Sequence, residues 1–444
     1  MTLGCQNTKV VIVDYTPKVE KIAIIGAGYV GLTTAACFAK MGHRVILSEI
    51  DPGKRDHIRN GISPILEPGL AEILAEVTAS GHLSVTSDNF EAASSSDFVF
   101  ICLPTPQAFD GSADTSVIFD VIRSIASAFT PNTVLITKST MPVGSVKTIQ
   151  DLVHDTGAIV ATNPEFLREG TAVDDTLHPE RIVIGCNDGQ SADRITELYA
   201  SLESQIFVTD PQSAELIKYA SNAFLATKVT FINSVATLCD AVGADIASVS
   251  CALGSDSRIG SKFLTPGPGW GGSCFPKDTS ALLHLSDRIG HSFKLLDAVI
   301  SGNLDHQLGV VQQIVNVLGE NGGNRVAVLG LTFKAGTDDL RDSPAIFIIR
   351  QLLKLGIIVT AYDPTVTTEL HASLDSVNIC FSAKQAAVSA DLIVVLTEWP
   401  EFSELDPSDL MSVMANRNIF DTRGIINKET WISSGFSVRI LGRP

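Results

Sequence analysis

The 444-residue sequence predicts an α/β protein with two doubly wound domains, joined by a central helical domain that contains one long helix. Short, continuously apolar runs alternate with helical stretches in the first half, which is typical of strands buried in a parallel sheet. Residues 213–242 contain no Pro or Gly and predict one uninterrupted helix. A second alternation of strands and helices begins at residue 325.

The first α/β domain is predicted over residues 21–212, after an N-terminal extension of residues 1–20. A glycine turn separates its first strand from an Ala-rich helix over residues 32–41, and Glu49 stands at the tip of the second strand. Strand, glycine turn, helix and acid-tipped strand together indicate a Rossmann-like unit. The strands that apolar runs predict are residues 21–25, 44–47, 98–102, 133–137, 158–161 and 181–184.

The central helical domain is predicted over residues 213–318 and the C-terminal domain over residues 319–444. The central domain combines the long helix, a loop rich in Gly, Pro and Ser, and a further helical stretch that ends near residue 317. The C-terminal domain has the pattern of a second Rossmann-like unit. Its predicted strands begin at Arg325 and cover 357–362, 392–396 and a last one near Ile419-Phe420, with a helix over 345–355.

The composition excludes several classes of partner. Hydrophobic residues make up 45% and charged residues 18%, as in folded domains, and the formal charge of −17 argues against nucleic acid and anionic membranes. No apolar run reaches the ~20 residues of a membrane-spanning helix. Residues 1–20 lack the pattern of a secretory signal, so we expect a cytoplasmic protein.

The eight cysteines are scattered and predict no metal site. They stand at positions 5, 37, 102, 186, 239, 251, 274 and 380, without a CxxC pair. Most cysteines in such a chain are small buried hydrophobes.

The glycine turn predicts a dinucleotide site. Gly26, Gly28 and Gly31 occupy the G-x-G-x-x-G positions, where they permit a tight turn, close approach of a pyrophosphate and close contact between helix and strand. A plain glycine turn is the alternative. Glu49 is expected to accept hydrogen bonds from the ribose hydroxyls and to repel a 2′-phosphate, which favours NAD over NADP.

Cys274 differs from the other cysteines in its surroundings. It follows a glycine-rich segment, residues 267–273, and precedes Pro276 and Lys277. Pro276 fits the first turn of a helix that begins near Ser273, and a cysteine at a helix start beside a lysine has its thiolate favoured. We also expect the glycines to let the loop pack tightly around a ligand. A buried, inert cysteine is the alternative.

Several motifs give the chain a resemblance to the UDP-glucose/GDP-mannose dehydrogenase family. They follow one another in the family's order and cover residues 21 to about 430. The segments that carry the resemblance are Ser139-Thr140-Met141-Pro142-Val143-Gly144, Asn163-Pro164-Glu165-Phe166-Leu167-Arg168-Glu169-Gly170, Lys218-Tyr219-Ala220-Ser221-Asn222, Gly269-Trp270-Gly271-Gly272-Ser273-Cys274-Phe275-Pro276-Lys277-Asp278, Phe333-Lys334 and Arg341-Asp342-Ser343.

The resemblance implies two successive NAD-dependent oxidations of one sugar CH2OH, through a thiohemiacetal and a thioester on Cys274. By resemblance, Lys218 and Asn222 stabilise the oxyanions, Asp278 orders water or accepts a proton, and Glu165 activates the hydrolytic water. Thr140 is expected to contact the bound water and the nicotinamide side. The implied catalytic residues are thus Cys274, Lys218, Asn222, Asp278, Glu165 and Thr140.

The resemblance also implies binding residues for the cofactor and the nucleotide sugar. Arg258 is similar to a substrate contact that can come across a dimer interface, and Phe263-Leu264 to a backbone clamp on the nucleotide. The implied cofactor contacts are Gly26, Gly28, Tyr29, Val30, Gly31, Glu49, Thr105, Thr140, Glu169, Lys277 and Arg341. The implied substrate contacts are Glu165, Phe166, Leu167, Arg168, Lys218, Asn222, Arg258, Phe263, Leu264, Gly271, Cys274, Phe333 and Lys334.

The resemblance favours UDP-glucose as substrate and UDP-glucuronate as product, with residues 178–185 and the segment around Cys274 closest to that branch. Trp270, where the family pattern has Phe, is expected to alter the fit of sugar or base. Alternatives are dTDP-glucose or GDP-mannose as substrate, a non-catalytic sugar-nucleotide-binding homologue, and a one-step dehydrogenase. The long helix is the expected seam of a homodimer or higher homo-oligomer.

Overall fold

The structure is a computed structural model, and it describes residues 9–11, 18–366 and 377–443. The chain forms two compact units, Met1–Ser221 and Asn222–Pro444. The boundary between them falls inside one 32-residue helix, Pro211–Val242.

The described part of the first unit is built on a nine-stranded sheet in the order β1-β9-β8-β7-β6-β5-β2-β3-β4. All neighbouring pairs are parallel except β1 with β9 and β7 with β8, which are antiparallel. The strands are β1 (Lys9–Val11), β2 (Lys21–Ile25), β3 (Arg44–Ser48), β4 (Leu83–Thr86), β5 (Phe98–Ile101), β6 (Val134–Thr137), β7 (Ile159–Thr162), β8 (Ile182–Gly185) and β9 (Ile206–Thr209).

Helices cover both faces of this sheet, which explains why its central strands are apolar at consecutive positions. Ile22 and Ile24 face one core cluster and Ala23 and Ile25 face the other, and all four side chains are buried. The helices are α1 (Tyr29–Lys40), α2 (Pro52–Arg59), α3 (Leu70–Ala79), α4 (Asn89–Ser94), α5 (Ser116–Ile125), α6 (Ser145–Leu152), α7 (Ala172–Leu177), α8 (Gly189–Glu197) and α9 (Pro211–Val242).

The second unit contains a helical part and a second α/β part. The helical part comprises the rest of α9 with α10 (Ile246–Ser255), α11 (Phe275–Arg288) and α12 (Lys294–Asn321). The α/β strands are β10 (Arg325–Leu329), β11 (Ile358–Tyr362), β12 (Asn378–Ile379), β13 (Leu392–Val395), β14 (Asn418–Asp421) and β15 (Ser437–Ile440). The helices are α13 (Pro344–Lys354), α14 (Ala383–Ala386), α15 (Pro400–Ser403), α16 (Pro407–Met411) and α17 (Lys428–Ser433).

Among the described residues, the strands of the second unit form one parallel sheet in the order β12-β11-β10-β13-β14-β15. Its central strands β10 and β13 are buried on both faces from Val326 and Leu392 onward. The crossovers place the carboxyl ends of these strands, where ligands bind in open α/β sheets, at one edge.

The predicted fold class is confirmed, and the structure differs from the prediction in several details, including the unpredicted strands β4, β9 and β12. A strand, β1, lies within the predicted extension and pairs with β9. The prediction that the last strand lies near Ile419-Phe420 was wrong, because β15 follows that strand and pairs with it. The expected continuous helix before residue 317 is broken between α11 and α12, where Gly290 has φ of 73°. The predicted domain boundaries remain predictions.

Candidate active site

The glycine turn after β2 has the geometry of a pyrophosphate cradle. Gly26 has φ of 101°, and a Cβ there would lie 2.8 Å from the carbonyl oxygen of Cys102. A Cβ on Gly31 would overlap the carbonyl oxygen of Gly26, so helix and turn approach as closely as glycine allows. Gly28, the N-cap of α1, has open space around its Cα. The backbone amides at this helix start therefore stay open to an anion, as NAD binding requires.

Glu49 stands at the tip of β3, as predicted. Its Oε2 accepts a hydrogen bond from the Ala27 amide at 3.1 Å and its Oε1 accepts one from the Asp51 amide at 2.8 Å. These two bonds fix the carboxylate against the glycine turn. An ionised carboxylate has about four lone-pair sites, so Glu49 keeps acceptor capacity for ribose hydroxyls.

Tyr29, the first residue of α1, joins the cofactor turn to the segment that ends at Gly170. The Gly170 amide lies 2.7 Å from the Tyr29 hydroxyl and 2.7 Å from Glu67 Oε2. Glu67 is buried, and its other oxygen accepts from the Ala172 amide at 2.6 Å, at the start of α7. The sequence alone did not predict this role for Glu67.

The remaining cofactor-side residues lie around the same turn and strand ends. Val30, the second residue of α1, is half-buried and packs against the core of the first unit. Thr105 and Thr140 are buried in the loops after β5 and β6, and the Ser139 hydroxyl between them donates to the Leu103 carbonyl at 2.6 Å. Glu169 is half-buried. Their contacts with NAD remain predictions.

Glu165 and Lys218 form a buried ion pair in the first unit. Lys218 Nζ donates to Glu165 Oε1 at 2.8 Å, and both side chains are buried. Glu165 Oε2 also accepts from the Leu167 amide at 2.6 Å, which fixes the carboxylate between an ammonium and a backbone donor. The Phe166 ring lies 5.4 Å from Lys218 Nζ. The loop after β7 and helix α9 thus bring together two side chains that are 53 residues apart in sequence.

Arg168, in the same loop, is occupied by an acidic neighbour. Its Nη2 lies 2.5 Å and its Nε 3.1 Å from the Asp175 carboxylate, and its backbone amide also donates to that carboxylate. The hydrogen bond to Asp175 raises the pKa of Arg168. Its predicted role as a substrate contact stays a prediction.

Cys274 is the N-cap residue of α11, close to the predicted helix start. Its thiol is half-buried, and its Sγ lies 3.6 Å from Ser273 Oγ. Five other described cysteines are buried, as expected, and burial raises the pKa of the Cys37 and Cys102 thiols to about 12. Those thiols stay protonated and inert, whereas Cys274 occupies a helix N-terminus beside polar groups.

Asp278 connects the first turn of α11 to α9 in the second unit. The Asn222 amide donates to its Oδ2 at 2.6 Å, and Lys277 Nζ contacts its Oδ1 at 2.5 Å. Asp278 is buried and its backbone amide donates to the Cys274 carbonyl at 3.0 Å. Asp278 and Asn222 are thereby brought together near Cys274, while the ammonium of Lys277 is directed to Asp278.

The glycines before Cys274 let other parts of the protein approach closely, and the expectation that they let the loop pack around a ligand stays a prediction. A Cβ on Gly271 would overlap the carbonyl oxygen of Asp342, and one on Gly272 would lie 2.8 Å from the Phe333 ring. Asp342 itself has φ of 46°, a strained value for a residue with a side chain. Gly271 thus packs against Asp342, and the Phe333 ring packs against Gly272. Both predicted substrate contacts, Gly271 and Phe333, therefore lie in tightly packed backbone next to Cys274.

Of the predicted cationic contacts, Arg258 and Arg341 are exposed, whereas Lys334 is half-buried. Arg258 is 88% exposed and bonds to Asp256, with Nη2 to Oδ2 at 2.6 Å. Arg341 bonds to Asp339 in the same manner, at 2.7 Å, and Lys334 Nζ lies 5.5 Å from the Phe333 ring centre. Each exposed ion pair is worth little and can exchange for a phosphate at small cost.

Phe263 and Leu264, the predicted clamp, differ in environment. Phe263 has φ of 63°, while Leu264 is buried in the core of the second unit. A left-handed conformation at a non-glycine residue is a sign of a functional constraint, although its role here remains a prediction.

Three polar residues that contact predicted site residues or their neighbours were not found from sequence. Lys138 and Tyr199 both donate to Asn163 Oδ1, two residues before Glu165. Arg423 donates from Nη2 to the Phe333 carbonyl at 3.2 Å in the second unit. Lys138 immediately precedes a family motif and Asn163 begins another, which was the available signal. Among the described residues no group of three or more His, Cys, Asp or Glu could hold a metal.

These features are those of an NAD-dependent oxidoreductase. The family models that match are those for the UDP-glucose/GDP-mannose dehydrogenase family: the NAD binding domain over residues 20–203, the central domain over 212–305 and the UDP binding domain over 327–428. The chain belongs to this family, and it is an NAD-dependent nucleotide-sugar 6-dehydrogenase.

Relatives match over nearly the whole chain. UDP-glucose 6-dehydrogenase of Rhizobium meliloti (strain 1021) is 42% identical over 435 residues, covering 96% of this chain and 100% of the relative. UDP-glucose 6-dehydrogenase YwqF of Bacillus subtilis (strain 168) is 41% identical, covering 95% and 97%. The solved UDP-glucose dehydrogenase of Pyrobaculum islandicum is 33% identical, with a TM-score of 0.89 and coverage of 98% and 100%. A UDP-D-ManNAc dehydrogenase of Pyrococcus horikoshii is 28% identical, with a TM-score of 0.85 and coverage of 95% and 99%.

Proposed function

We propose that this chain oxidises UDP-glucose to UDP-glucuronate with two molecules of NAD, through a thiohemiacetal and a thioester on Cys274. The observation that carries the choice of sugar nucleotide is the set of relatives named UDP-glucose 6-dehydrogenase, at about 40% identity over almost the full chain. The observation that supports the chemistry is the half-buried thiol at the start of α11, beside Asp278 and its partner Asn222.

The first half of the proposed reaction converts the sugar CH2OH to an aldehyde. NAD, when bound, accepts one hydride in each of the two oxidations. A basic group of the chain, or water that it orders, takes the hydroxyl proton as the C–H bond breaks. Lys218, held at 2.8 Å from Glu165, offers an ammonium for the alkoxide that develops on the sugar oxygen.

The second half captures the aldehyde and releases an acid. The Cys274 thiolate forms a C–S bond with the aldehyde carbon, and the oxygen of the thiohemiacetal is stabilised by Lys218 and Asn222. Loss of a second hydride and a proton gives the thioester. Glu165 takes a proton from water, whose oxygen attacks the thioester carbon, and the C–S bond breaks to regenerate the thiolate. Asp278 orders that water or accepts its proton.

The test of substrate and stoichiometry uses the full chain with NAD and one nucleotide sugar at a time. UDP-glucose is expected to give the fastest reaction and two NADH per uronate formed, as measured by absorbance and by mass of the product. Faster turnover of dTDP-glucose or GDP-mannose would reassign the substrate within the same chemistry. A ratio of one NADH per product would indicate a one-step dehydrogenase, and no NADH with any sugar would indicate a non-catalytic homologue.

The test of the thioester uses Cys274 with a matched cysteine control. Cys274→Ala is expected to abolish uronate formation, and Cys274→Ser to slow the second half and accumulate an ester detectable as added mass on the protein. Cys251→Ser alters the exposed cysteine of α10 and should leave the rate unchanged. Full turnover by Cys274→Ala would exclude the proposed mechanism.

The exposed face of α9 supports the proposal of a homodimer or higher homo-oligomer. Phe224, Phe231 and Leu238 recur every seven residues and are each more than half exposed. Of the described helices α9 is also the one long and apolar enough to cross a membrane by length and composition, a test that core helices of soluble proteins pass as well. Phe231→Glu is expected to halve the mass measured by light scattering, and an unchanged mass would refute this seam.

The remaining partner and location assignments are also part of the proposal. The substrate class, a nucleotide sugar, agrees with the family's UDP binding domain, whereas nucleic acid and membranes are not expected partners. A cytoplasmic location is expected, and cell fractionation followed by detection of the native chain would test it.

A further inference from the structure

A buried lysine, Lys138, contacts Asn163, two residues before Glu165, and takes no part in the reaction proposed above. It follows β6 directly and its side chain is among the buried polar groups of the first unit. Its Nζ donates to Asn163 Oδ1 at 3.0 Å, and the Tyr199 hydroxyl donates to the same oxygen at 2.5 Å. A buried ammonium is costly unless it has a partner, so its retention at this place requires a reason.

Four hydrogen bonds fix the position of Asn163. Besides accepting from Lys138 and Tyr199, its Nδ2 donates to the Val183 carbonyl at 2.8 Å, and its backbone amide donates to the Thr137 carbonyl at 3.0 Å. Asn163, which directly follows β7, therefore ties that strand to the end of β6 and to β8. Lys138 supplies the one ammonium among these four bonds.

The fixed amide lies two residues before Glu165. Pro164, with its locked φ, is the only residue between them, so the position of Asn163 restricts the direction in which the chain leaves the sheet. One carboxylate oxygen of Glu165 accepts a hydrogen bond from Lys218 Nζ, and the other accepts one from the Leu167 amide. A displacement of Asn163 would move the carboxylate away from these donors.

The charges around Lys138 favour Glu165 as its electrostatic partner. The titratable groups that face Lys138 are Cys102 at the end of β5, Tyr199 after α8, Glu165 after β7 and Lys218 on α9. Burial raises the pKa of Cys102 to about 12 and raises the pKa of Tyr199 further, so both are neutral. Glu165, which forms an ion pair with Lys218, is the carboxylate among these groups. Burial lowers the pKa of Lys138, Cys102 and Glu165 oppose that effect, and the charge of Lys218 adds to it.

We infer that Lys138 is a positioning residue for Glu165: it anchors Asn163, and its positive charge keeps the Glu165 carboxylate ionised for the attack of water on the thioester. The inference rests on the proposed role of Glu165 in hydrolysis. It assigns to Lys138 a task separate from that of Lys218, which contacts Glu165 directly and is also expected to stabilise the substrate oxyanions.

The experiment compares two variants that remove the charge with two that keep it. Lys138→Met removes charge and hydrogen bond, and Lys138→Gln removes the charge but retains an N–H donor. Lys138→Arg keeps the charge, and Tyr199→Phe removes the other hydrogen bond to Asn163 without changing any charge at neutral pH. The full chain is studied with UDP-glucose and NAD, and the melting temperature of each variant verifies that it is folded.

Loss of the charge is expected to slow hydrolysis more than the oxidations. Lys138→Met and Lys138→Gln should lower the steady-state rate at least about tenfold, leave a burst of NADH, and accumulate the thioester as added mass on Cys274. The acid limb of their pH–rate profiles should move to higher pH, because Glu165 would keep the charge of Lys218 but lose that of Lys138, and a carboxylate with less positive charge around it takes up a proton more readily. Lys138→Arg and Tyr199→Phe should keep the acid limb of the unmodified chain.

An unchanged acid limb in either folded, charge-removing variant would overturn the inference, whatever its rate. So would a normal level of the Cys274 adduct during turnover. Failure of the unmodified chain to form two NADH from any nucleotide sugar would instead refute the proposed function, so the two failures are distinguishable.

Discussion

Glu215 offers a test of how burial and hydrogen bonding compete at a single carboxylate. It lies in the first turns of α9 and is buried in the first unit. Its Oε2 accepts from the Gly144 amide at 2.6 Å and its Oε1 from the Val146 amide at 2.9 Å, at the start of α6. Amides at a helix start favour the ionised form, whereas burial favours the protonated form. The pKa of Glu215 is raised to about 7, so burial prevails.

The raised pKa predicts a specific dependence of stability on pH. The folded chain binds the proton more tightly than the unfolded chain, whose carboxyl keeps its ordinary value of 4.5. The stabilising contribution is therefore fully present below pH 4.5 and is lost as the pH rises to about 7. At 1.36 kcal/mol per pKa unit, the whole effect is about 3 kcal/mol, of which about 2.5 kcal/mol falls between roughly pH 5 and pH 8.

The assay compares the unmodified chain with Glu215→Gln in urea unfolding at several pH values. The difference in unfolding free energy between the two should fall by about 2.5 kcal/mol from roughly pH 5 to pH 8. Asp188→Asn is the control that should stay constant over this range, since the bonds to Ser191 lower the pKa of Asp188 below 3.8 and its contribution is lost only in more acidic solution. A difference that stays constant within about 0.5 kcal/mol for Glu215→Gln would show that the α6 amides keep the carboxylate ionised, and the reasoning would fail.

Three further predictions concern the site. Gly31→Ala should weaken NAD binding at least about tenfold in calorimetry, because its Cβ overlaps the glycine turn, whereas Gly189→Ala has open space and should bind normally. Asp278→Asn removes the anion that Lys277 and Asn222 share, and should lower kcat at least about tenfold with a smaller change in KM; equal rates would refute a catalytic role. Trp270→Phe removes the indole bond to Thr230 and should cost about 1–3 kcal/mol of unfolding free energy without changing the order of preference among nucleotide sugars.

The central strands could be predicted from sequence because they are buried on both faces. Ile24 and Phe100, for example, are fully buried within continuous apolar runs, and short runs of this kind are typical of strands that helices cover on both sides. Strand β15 lacks this signal, since Ser437 is exposed and Val438 and Arg439 are half-buried. Its position depends on pairing with β14, which local sequence does not encode.

The site shows the same division between local and long-range information. Cys274 could be placed at a helix start because Pro276 and the preceding glycines are local signals. The partners of Asn163 could not be predicted, because Lys138 is 25 residues and Tyr199 is 36 residues away in sequence. Their contact follows from the order of β6, β7 and β8 in the sheet. Motifs indicated candidate site residues, but only the fold showed which polar groups they contact.

Trp270 shows how such contacts change the interpretation of a substitution. The sequence suggested that its ring alters the fit of the sugar or base. In the structure the indole is buried against Ala226 and Val299 and donates to Thr230 Oγ1 at 2.8 Å. Its backbone amide donates to Asn303 Oδ1 at 2.9 Å, so the residue is fixed at both ends. Because Trp270 directly precedes Gly271, where a Cβ would overlap the Asp342 carbonyl oxygen, we expect Trp270 to influence substrate choice through the position of this backbone.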